Sequence, residues 1–489
     1  MPKKKENLSP EERLIKAVIP KEEEPYKVPD NWVWTRLESI GVLQTGTTPQ
    51  TSKTEYFGND IPFITPADIT NEAMIYTNRG LSFLGKEKSR VAEKNSILQV
   101  CIGGSIGKVF YTNRDVCFNQ QINSISLYNS EYKYIYFLLK SDFFYYNLLK
   151  NSRGTATPII NKSTWGNLII PLPPLEEQKR IVEKLDSLFE KTGRIKEIIE
   201  EVKEKTSLRR EAVLSKAFTG ELTEKWRAEN KTENAKELLL KINEEKLKNN
   251  PKAKIKDISE MLVNENEVPY KVPENWVWTR LGDITEKNQY GYTAKAEQNG
   301  KIKYLRITDI QDNKVNWKTV PFCSIDEKDL EKFKLKENDI VVTRTGATTG
   351  KSFLIESINC KAVFASYLIR VRALNGLPKF LWNYMKANLY WKQITEFSSG
   401  IAQSGVNAQK LENLLLPLPP LKEQKEIVRI LDKVFEEEDK ISELISLEEK
   451  VEILEKTILD KAFRGELGTG NIDDEPAIEL LKRVLEENE

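Results

Sequence analysis

Between residues 181 and 202 apolar side chains recur at Ile181, Leu185, Leu188, Ile195, Ile199 and Val202, with Thr192 in the same row, in alternating steps of four and three. That period is the seam of a coiled coil. A second row holds Ile427, Leu431, Val434, Glu438, Ile441 and Ile445, and resumes after a small phase shift at Val451, Leu454 and Ile458. Each row predicts a long helix, opened by Pro174 or Pro420 at its first position and running to Phe218 or Phe463. Glu176 and Glu177, or Glu423, stand in the first turn, where acids suit the helix dipole. Such a helix is roughly 65 Å long at 1.5 Å per residue. So narrow a stripe must be covered, and its nearest cover is the duplicate in the same chain, which predicts that the two helices pack as a pair. Gly193 costs about 1 kcal/mol in mid-helix and marks a possible bend.

Ahead of each long helix the period changes. Short β-rich runs at 61–65, 96–102, 122–127, 340–343 and 367–371 are separated by Gly and Pro turns, with a helix near 132–150. These stretches predict compact mixed α/β modules.

The chain is written twice. PYKVPDNWVWTRLESI at 25–40 returns as PYKVPENWVWTRLGDI at 269–284, and PLPPLEEQKRIVEKLD at 171–186 as PLPPLKEQKEIVRILD at 417–432. LSKAFTGEL at 214–222 matches LDKAFRGEL at 459–467, and AKELLLKINEE at 235–245 has an echo in AIELLKRVLEE at 477–487. The unit is about 245 residues, a tandem duplication rather than a many-repeat solenoid. The predicted order is an N-terminal arm (1–24), a module (25–170), a long helix (171–220), a helical connector (221–268), a second module (269–416), a second long helix (417–465) and a tail helix (466–489). The copies agree at their edges, whereas 41–160 and 285–405 share only scattered short matches. Like edges suit a symmetric partner, and unlike centres an asymmetric one.

Charge sharpens that contrast. The whole chain carries +1, but residues 25–167 carry 15 Lys and Arg against 11 acids, residues 269–413 carry 22 against 15, and the remainder is acidic. Two basic modules rich in Tyr, Asn, Gln and Arg suit nucleic acid, where phosphate contacts position and base-edge contacts specify.

Catalytic readings narrow quickly. There are 0 histidines, which excludes a Ser-His-Asp triad, a histidine metal site and imidazole acid–base chemistry within this chain. Cys101, Cys117, Cys323 and Cys360 are too far apart for a CxxC pattern and read as reduced, mostly buried thiols. The start, MPKKKENLSPEER, has no apolar stretch behind its lysines, and no run approaches the roughly 18 apolar residues of a membrane span, so a cytoplasmic protein is expected. GGSIGK at 103–108 and RTGATTGKS at 344–352 resemble phosphate-binding loops, but the required first glycine is replaced by Ile102 and Thr345, and strand rather than helix follows. They read as glycine turns that place Lys108 and Lys351. Trp32 and Trp34, repeated as Trp276 and Trp278, could stack on bases but alternate with valine and read as core. Tyr290 and Tyr292 in NQYGYTAKA are better DNA-facing candidates. A methyltransferase (N/D)PP(Y/F) signature and a PD…ExK carboxylate cluster are absent from the sequence.

Taken together, TGTTPQTSKTEYFGNDIPFITPADI at 45–69, YGYTAKA, KYLRITDIQ, NDIVVTRTGATTGKS, SGVNAQKLENLLLPLPPL and the repeated PLPPL and GEL segments resemble the specificity subunit of type I restriction-modification systems over nearly the whole chain. The resemblance implies a pseudo-two-fold, mixed α/β fold with two target-recognition domains joined by two long antiparallel coiled-coil helices. Each domain would read one half of a split, asymmetric site on double-stranded DNA, and the helices would fix the gap. The subunit would be non-catalytic. Its expected partners are two methyltransferase subunits using S-adenosylmethionine, and two restriction/translocase subunits using ATP and Mg2+. No cofactor or metal is expected on this chain, and no membrane. Candidate DNA contacts are Thr48, Gln50, Lys53, Ser105, Lys108, Arg153 and Lys162 in the first module, and Tyr292, Lys295, Arg306, Arg344, Lys351 and Gln403 in the second. Two other readings compete: a coiled-coil scaffold that binds proteins without reading DNA, and an ATP-using enzyme built on the glycine loops.

Overall fold

The computed structural model describes residues 9–70, 73–154, 157–249, 256–311, 314–375, 378–398 and 405–486, apart from the side chains of residues 398 and 442–445. It divides into two compact units, residues 1–199 with 446–489, and residues 200–445.

In the first unit the strand Val33–Arg36 pairs antiparallel with Ile169–Leu172, so the module is entered and left along one ribbon. Between them lies an antiparallel sheet in the order Gly41–Thr45, Ile122–Leu127, Ile97–Val100, Val109–Tyr111. A second sheet orders Gly80–Leu81, Phe57–Ile64, Val116–Phe118, Val91–Ala92, with a parallel pair at its centre. Strand Ile97–Val100 is buried on both faces, Gln99 included, whose Oε1 accepts from Trp165 Nε1 at 2.7 Å. Ile97 faces the helices Tyr132–Lys140 and Asp142–Lys150, while Leu98 and Val100 face the second sheet. Ser141 ends one helix and caps the next, its Oγ accepting from Phe144 N at 3.2 Å.

The second unit repeats this plan in a different sequence. Val277–Arg280 pairs with Leu415–Leu418, and the sheet order is Gln289–Tyr290, Leu368–Val371, Ile340–Thr343, Ser352–Leu354. A further sheet orders Phe322–Cys323, Ile302–Leu305, Ala362–Phe364, again with one parallel pair, between its last two strands. Ile340 and Val342 face the helices and Val341 the other sheet, the period-two alternation of a strand between two layers.

Each unit is closed by segments outside its module. Helix Pro10–Ala17 leads to a bridge between Val18 and Thr35, and Thr35 Oγ1 donates to Ala17 O at 2.9 Å. Helix Ile258–Met261 does the same in the second unit, with Thr279 Oγ1 on Met261 O at 2.9 Å. Tail helix Ala477–Glu486 buries Leu480, Leu481 and Val484 with Leu37 and Ile40; connector helix Ala235–Asn249 buries Leu238, Leu239 and Ile242 with Leu281 and Ile284. The duplication therefore reaches upstream of the matching PYKVP strings, into stretches whose sequences have diverged.

The first long helix, Leu175–Thr219, is continuous for 45 residues. Nothing stands within 4 Å of where a Cβ on Gly193 would lie. Gly193→Ala should therefore stabilise the protein by about 1 kcal/mol, read as a raised urea midpoint at unchanged slope. The second row does not form one helix: Leu421–Ile445 and Leu447–Phe463 are separate, with a turn at Ser446 where the apolar row slips phase.

Seam positions hold only in part. Ile181, Leu185, Thr192, Ile199, Ile427, Leu431, Glu438, Val451 and Ile458 are buried, and Leu188, Val202, Val434 and Ile441 are half-buried. Ile195 is 42% exposed and Leu454 48%, so both leave the seam. The side chain of Ile445 lies outside the described residues. Around Ile195 the helix contact is polar instead: Glu455 accepts from Thr192 Oγ1 at 2.6 Å and Lys196 Nζ at 2.7 Å. Within each unit the helix segments run antiparallel. In the first, Arg180 Nε reaches Thr469 O and Thr192 reaches Glu455; in the second, Thr223 reaches Glu423 and Arg210 lies beside Glu438.

All four duplicated strings meet at one junction in each unit. In the first, Tyr26 OH donates to Phe463 O at 3.1 Å, and buried Glu177 accepts from Trp32 Nε1 at 2.8 Å and Thr469 Oγ1 at 3.3 Å. In the second, Tyr270 OH donates to Phe218 O at 3.1 Å, and buried Glu423 accepts from Thr223 Oγ1 at 2.7 Å, Arg227 Nη1 at 2.5 Å and Asn275 Nδ2 at 3.1 Å. The glycine of each GEL turn has positive φ, and a Cβ there would stand 2.4 Å from Pro29 at Gly465, or 2.5 Å from Pro273 at Gly220. Glu177 and Glu423, read from sequence as first-turn acids, are thus buried clasps joining the start of one helix to the end of the other.

Candidate nucleic-acid interface

At one end of each module the loops between strands converge, and a single backbone crossing organises them. Gly46 N donates to Ile122 O at 3.1 Å and Thr47 N to Phe118 O at 2.9 Å; Gly291 N donates to Leu368 O at 3.1 Å and Tyr292 N to Phe364 O at 2.8 Å. A Cβ on Gly46 would stand 2.2 Å from Asn119 O, and one on Gly291 2.2 Å from Ala365 O. Only glycine lets the chain pass so close, so Thr48 and Tyr292 are held against the loops 119–121 and 365–367 respectively.

The two glycine-rich strings are β-hairpin turns. Gly103 and Gly107, or Gly346 and Gly350, have positive φ, and strands Val109–Tyr111 and Ser352–Leu354 follow. The absence of a following helix removes the dipole that a phosphate-binding loop needs.

In the first module Thr48 Oγ1 donates to Gln120 Oε1 at 2.5 Å. Cys101 N donates to Gln121 O at 2.8 Å and Gly103 N to Pro158 O at 3.0 Å, while Arg153 exchanges backbone bonds with Ile159. Thr48 thus reaches Gln120 directly, and the backbone bonds bring the loops that carry Ser105, Lys108 and Arg153 toward the one that carries Asn119, Gln120 and Gln121. Gln50 and Lys53 extend the same loop as exposed side chains, with Lys53 Nζ 3.4 Å from Tyr56 OH. Lys162 is exposed, its Nζ 3.4 Å from Leu43 O in the strand Gly41–Thr45.

In the second module the guanidinium of Arg344 lies over the Tyr290 ring at 4.8 Å, and Tyr290 OH accepts from Ala408 N at 3.0 Å. Arg344 Nε has no hydrogen-bond partner among the described residues. Val406 N donates to Arg344 O at 2.8 Å, and Arg344 N to Tyr367 O at 3.0 Å. Tyr292 is half-buried with its ring 5.3 Å from Phe333, while Lys295 and Lys351 are exposed. Arg306 is engaged by Asp309, which accepts from its Nε at 3.1 Å and Nη2 at 2.8 Å. Gln403 lies outside the described residues.

The loops 119–121 and 365–367 were missed from sequence. The signal was present in Asn119, Gln120 and Gln121, an uninterrupted run of amides between strands, the donor–acceptor type that reads adenine. Trp32, Trp34, Trp276 and Trp278 are buried, as core residues rather than a stacking platform. Cys101, Cys117 and Cys323 are buried and Cys360 half-buried, all free; burial pushes the Cys101 thiol up to about 12 and the Cys323 thiol up to about 11. Among the described residues there is no cluster of metal-ligating side chains and no helix long and apolar enough to cross a membrane.

One fold used twice, with the same junctions and different loop residues at equivalent places, defines a two-module recognition protein. Comparison with known proteins gives the family: the model for the type I restriction modification DNA specificity domain matches residues 29–204 and 273–449, and the chain belongs to that family. The chain is 25% identical over 445 residues to the type I restriction enzyme EcoBI specificity subunit of Escherichia coli, covering 90% of this chain and 86% of that protein. It is 25% identical over 471 residues to the MjaIX specificity subunit of Methanocaldococcus jannaschii, covering 91% and 96%. Among solved structures, a chain from work on complex assembly and conformational transition of the type I R-M system matches with a TM-score of 0.66 at 20% identity, covering 91% of this chain and 100% of that one. The HsdS subunit from Thermoanaerobacter tengcongensis matches with a TM-score of 0.50 at 20% identity and the same coverage.

Proposed function

We propose that this chain is the DNA specificity subunit of a type I restriction-modification complex, with each module reading one half of a bipartite, asymmetric site. The observation that carries this is the pairing of the same main-sheet order with unlike loop ends: Thr48, Gln120, Lys108 and Arg153 occupy one module's convergent end, and Tyr290, Arg344, Lys351 and Tyr367 the other's. Two readers of equal shape and unequal chemistry recognise unequal half-sites. The antiparallel helices set the gap and dock two methyltransferase subunits, to which the near-symmetric junctions present like surfaces. Catalysis belongs to those partners, which bring S-adenosylmethionine, and to restriction/translocase subunits with ATP and Mg2+ where these join. The working compartment is the cytoplasm.

The test is a binding assay at fixed salt using the chain assembled with its methyltransferase. One bipartite sequence should bind at least about 1,000-fold tighter than random duplex. Arg344→Ala should lower discrimination at one base position of one half-site by about 1–3 kcal/mol, with random-duplex affinity nearly unchanged. Equal binding to all sequences would support the protein scaffold instead.

A further inference from the structure

Short helix Phe83–Glu87 puts two large apolar side chains into solvent, Phe83 at 72% exposure and Leu84 at 55%. Their backbone is fixed. Ser82 Oγ donates to Glu55 O at 2.6 Å and accepts from Gly85 N at 3.2 Å, and Phe83 N donates to Asp60 Oδ2 at 3.0 Å. A Cβ on Gly85 would stand 1.9 Å from Tyr56 O, so the helix lies tight on the loop 47–56. On its far side Ser89 Oγ donates to Thr47 O at 2.6 Å. The apolar pair is therefore tied at both ends to the loop that carries Thr48, Gln50 and Lys53. Lys53, Lys88 and Arg90 are exposed near it, as are Glu55, Asp60 and Glu87, and Lys86 is half-buried.

The second module has the same element with other contents. Its helix Glu327–Phe333 also follows the outer strand of its sheet and is also capped one residue earlier, with Asp326 accepting from Asp329 N at 2.9 Å. Where the first module has Phe83 and Leu84, the second has Glu327 and Lys328. Two copies of one partner subunit would meet like residues at like places. An element kept in form and changed in exposed chemistry faces the ligand that differs between the modules, which is the DNA.

We propose that Phe83 and Leu84 are an apolar wedge of the first module, pressed against a base step at the margin of its half-site while the surrounding Lys53, Lys88 and Arg90 meet phosphate. The proposal rests on the DNA-reading function above. Apolar side chains at such a place unstack a step or cover thymine methyls, and add discrimination without adding charge.

The test uses the full chain assembled with its methyltransferase subunits and compares wild type with a Phe83→Ala/Leu84→Ala double variant. Cognate affinity should fall about tenfold or more, because apolar groove contacts carry sequence discrimination. The slope of log affinity against log salt should stay the same, since no phosphate contact is lost. Assembly and the thermal midpoint should also be unchanged. A 2-aminopurine scan across the half-site should show one position whose fluorescence rises with wild type and not with the variant. Wild-type affinity in the variant overturns the proposal, as does loss of assembly with the methyltransferase, which would make the pair a protein contact. A wild-type complex without sequence preference would instead overturn the DNA-reading function itself, and is distinguished before the variant is measured.

Discussion

Glu423→Ala is expected to destabilise the second unit by about 3–5 kcal/mol, the cost of breaking a buried charge pair by removing one partner. Glu423 is fully buried and its carboxylate accepts from a hydroxyl, a guanidinium and an amide that come from three separate stretches of chain: Thr223, Arg227 and Asn275. Without it Arg227 keeps one backbone acceptor, Gly220 O at 3.0 Å, and a poorly solvated positive charge. Glu423→Gln retains an acceptor for Thr223 and Asn275 and should cost less. Glu177→Ala provides the internal comparison. Its direct partners, Trp32 and Thr469, are neutral, so the loss should be about 1–3 kcal/mol. Burial pushes the Glu177 carboxyl above the ordinary carboxylate range. A raised folded value means the native state favours the protonated acid, so this contribution is full below the ordinary carboxylate value and declines as pH rises through the folded one. Urea unfolding of the full chain, followed by tryptophan fluorescence, measures both variants. A loss below about 1 kcal/mol for Glu423→Ala would show that the clasp does not hold the junction.

This junction also marks where sequence reading stops. The strings PYKVP, PLPPL and GEL were visible as repeats, and the helices after PLPPL were legible because a steady alternation of four and three fits a helix seam and not the period of two of a strand. That Glu177 and Glu423 are buried was not legible, because an acid in the first turn of a helix has a sufficient local role on the surface. Their partners lie far along the chain, and only the fold brings the GEL turn back beside them. Ile195 and Leu454 kept the period but left the seam where Thr192, Lys196 and Glu455 form a polar contact. The strand order of the modules was out of reach for a different reason: strands of two to eight residues, several buried on both faces, give no periodicity to follow. The upstream extension of the repeat was hidden because the stretch ending at Ala17 and the one ending at Met261 keep a carbonyl that accepts from a threonine hydroxyl rather than a sequence.

In the candidate interface the glycine hairpins and the lysines on them were readable from turn chemistry. The stacking of Arg344 on Tyr290 and the link from Thr48 to Gln120 were not, since each joins residues from separate loops.

The second large effect concerns recognition as a whole. Residues 41–160 hold every loop of the first module's convergent end, whereas the ribbon Val33–Arg36 with Ile169–Leu172 and the clasp at Glu177 lie outside that stretch. Replacing 41–160 with the corresponding stretch of another family member should therefore change the bases read while leaving the junction intact. Each altered base should shift discrimination by about 1–3 kcal/mol, enough to redirect methylation entirely over a half-site of several bases. Single-molecule methylome sequencing of cells expressing the exchanged chain with its methyltransferase is the direct measurement. The expected result is one new half-site, with the other half-site and the gap retained. A methylation pattern unchanged from the parent, or one in which both halves change together, would contradict the assignment of one half-site to each module.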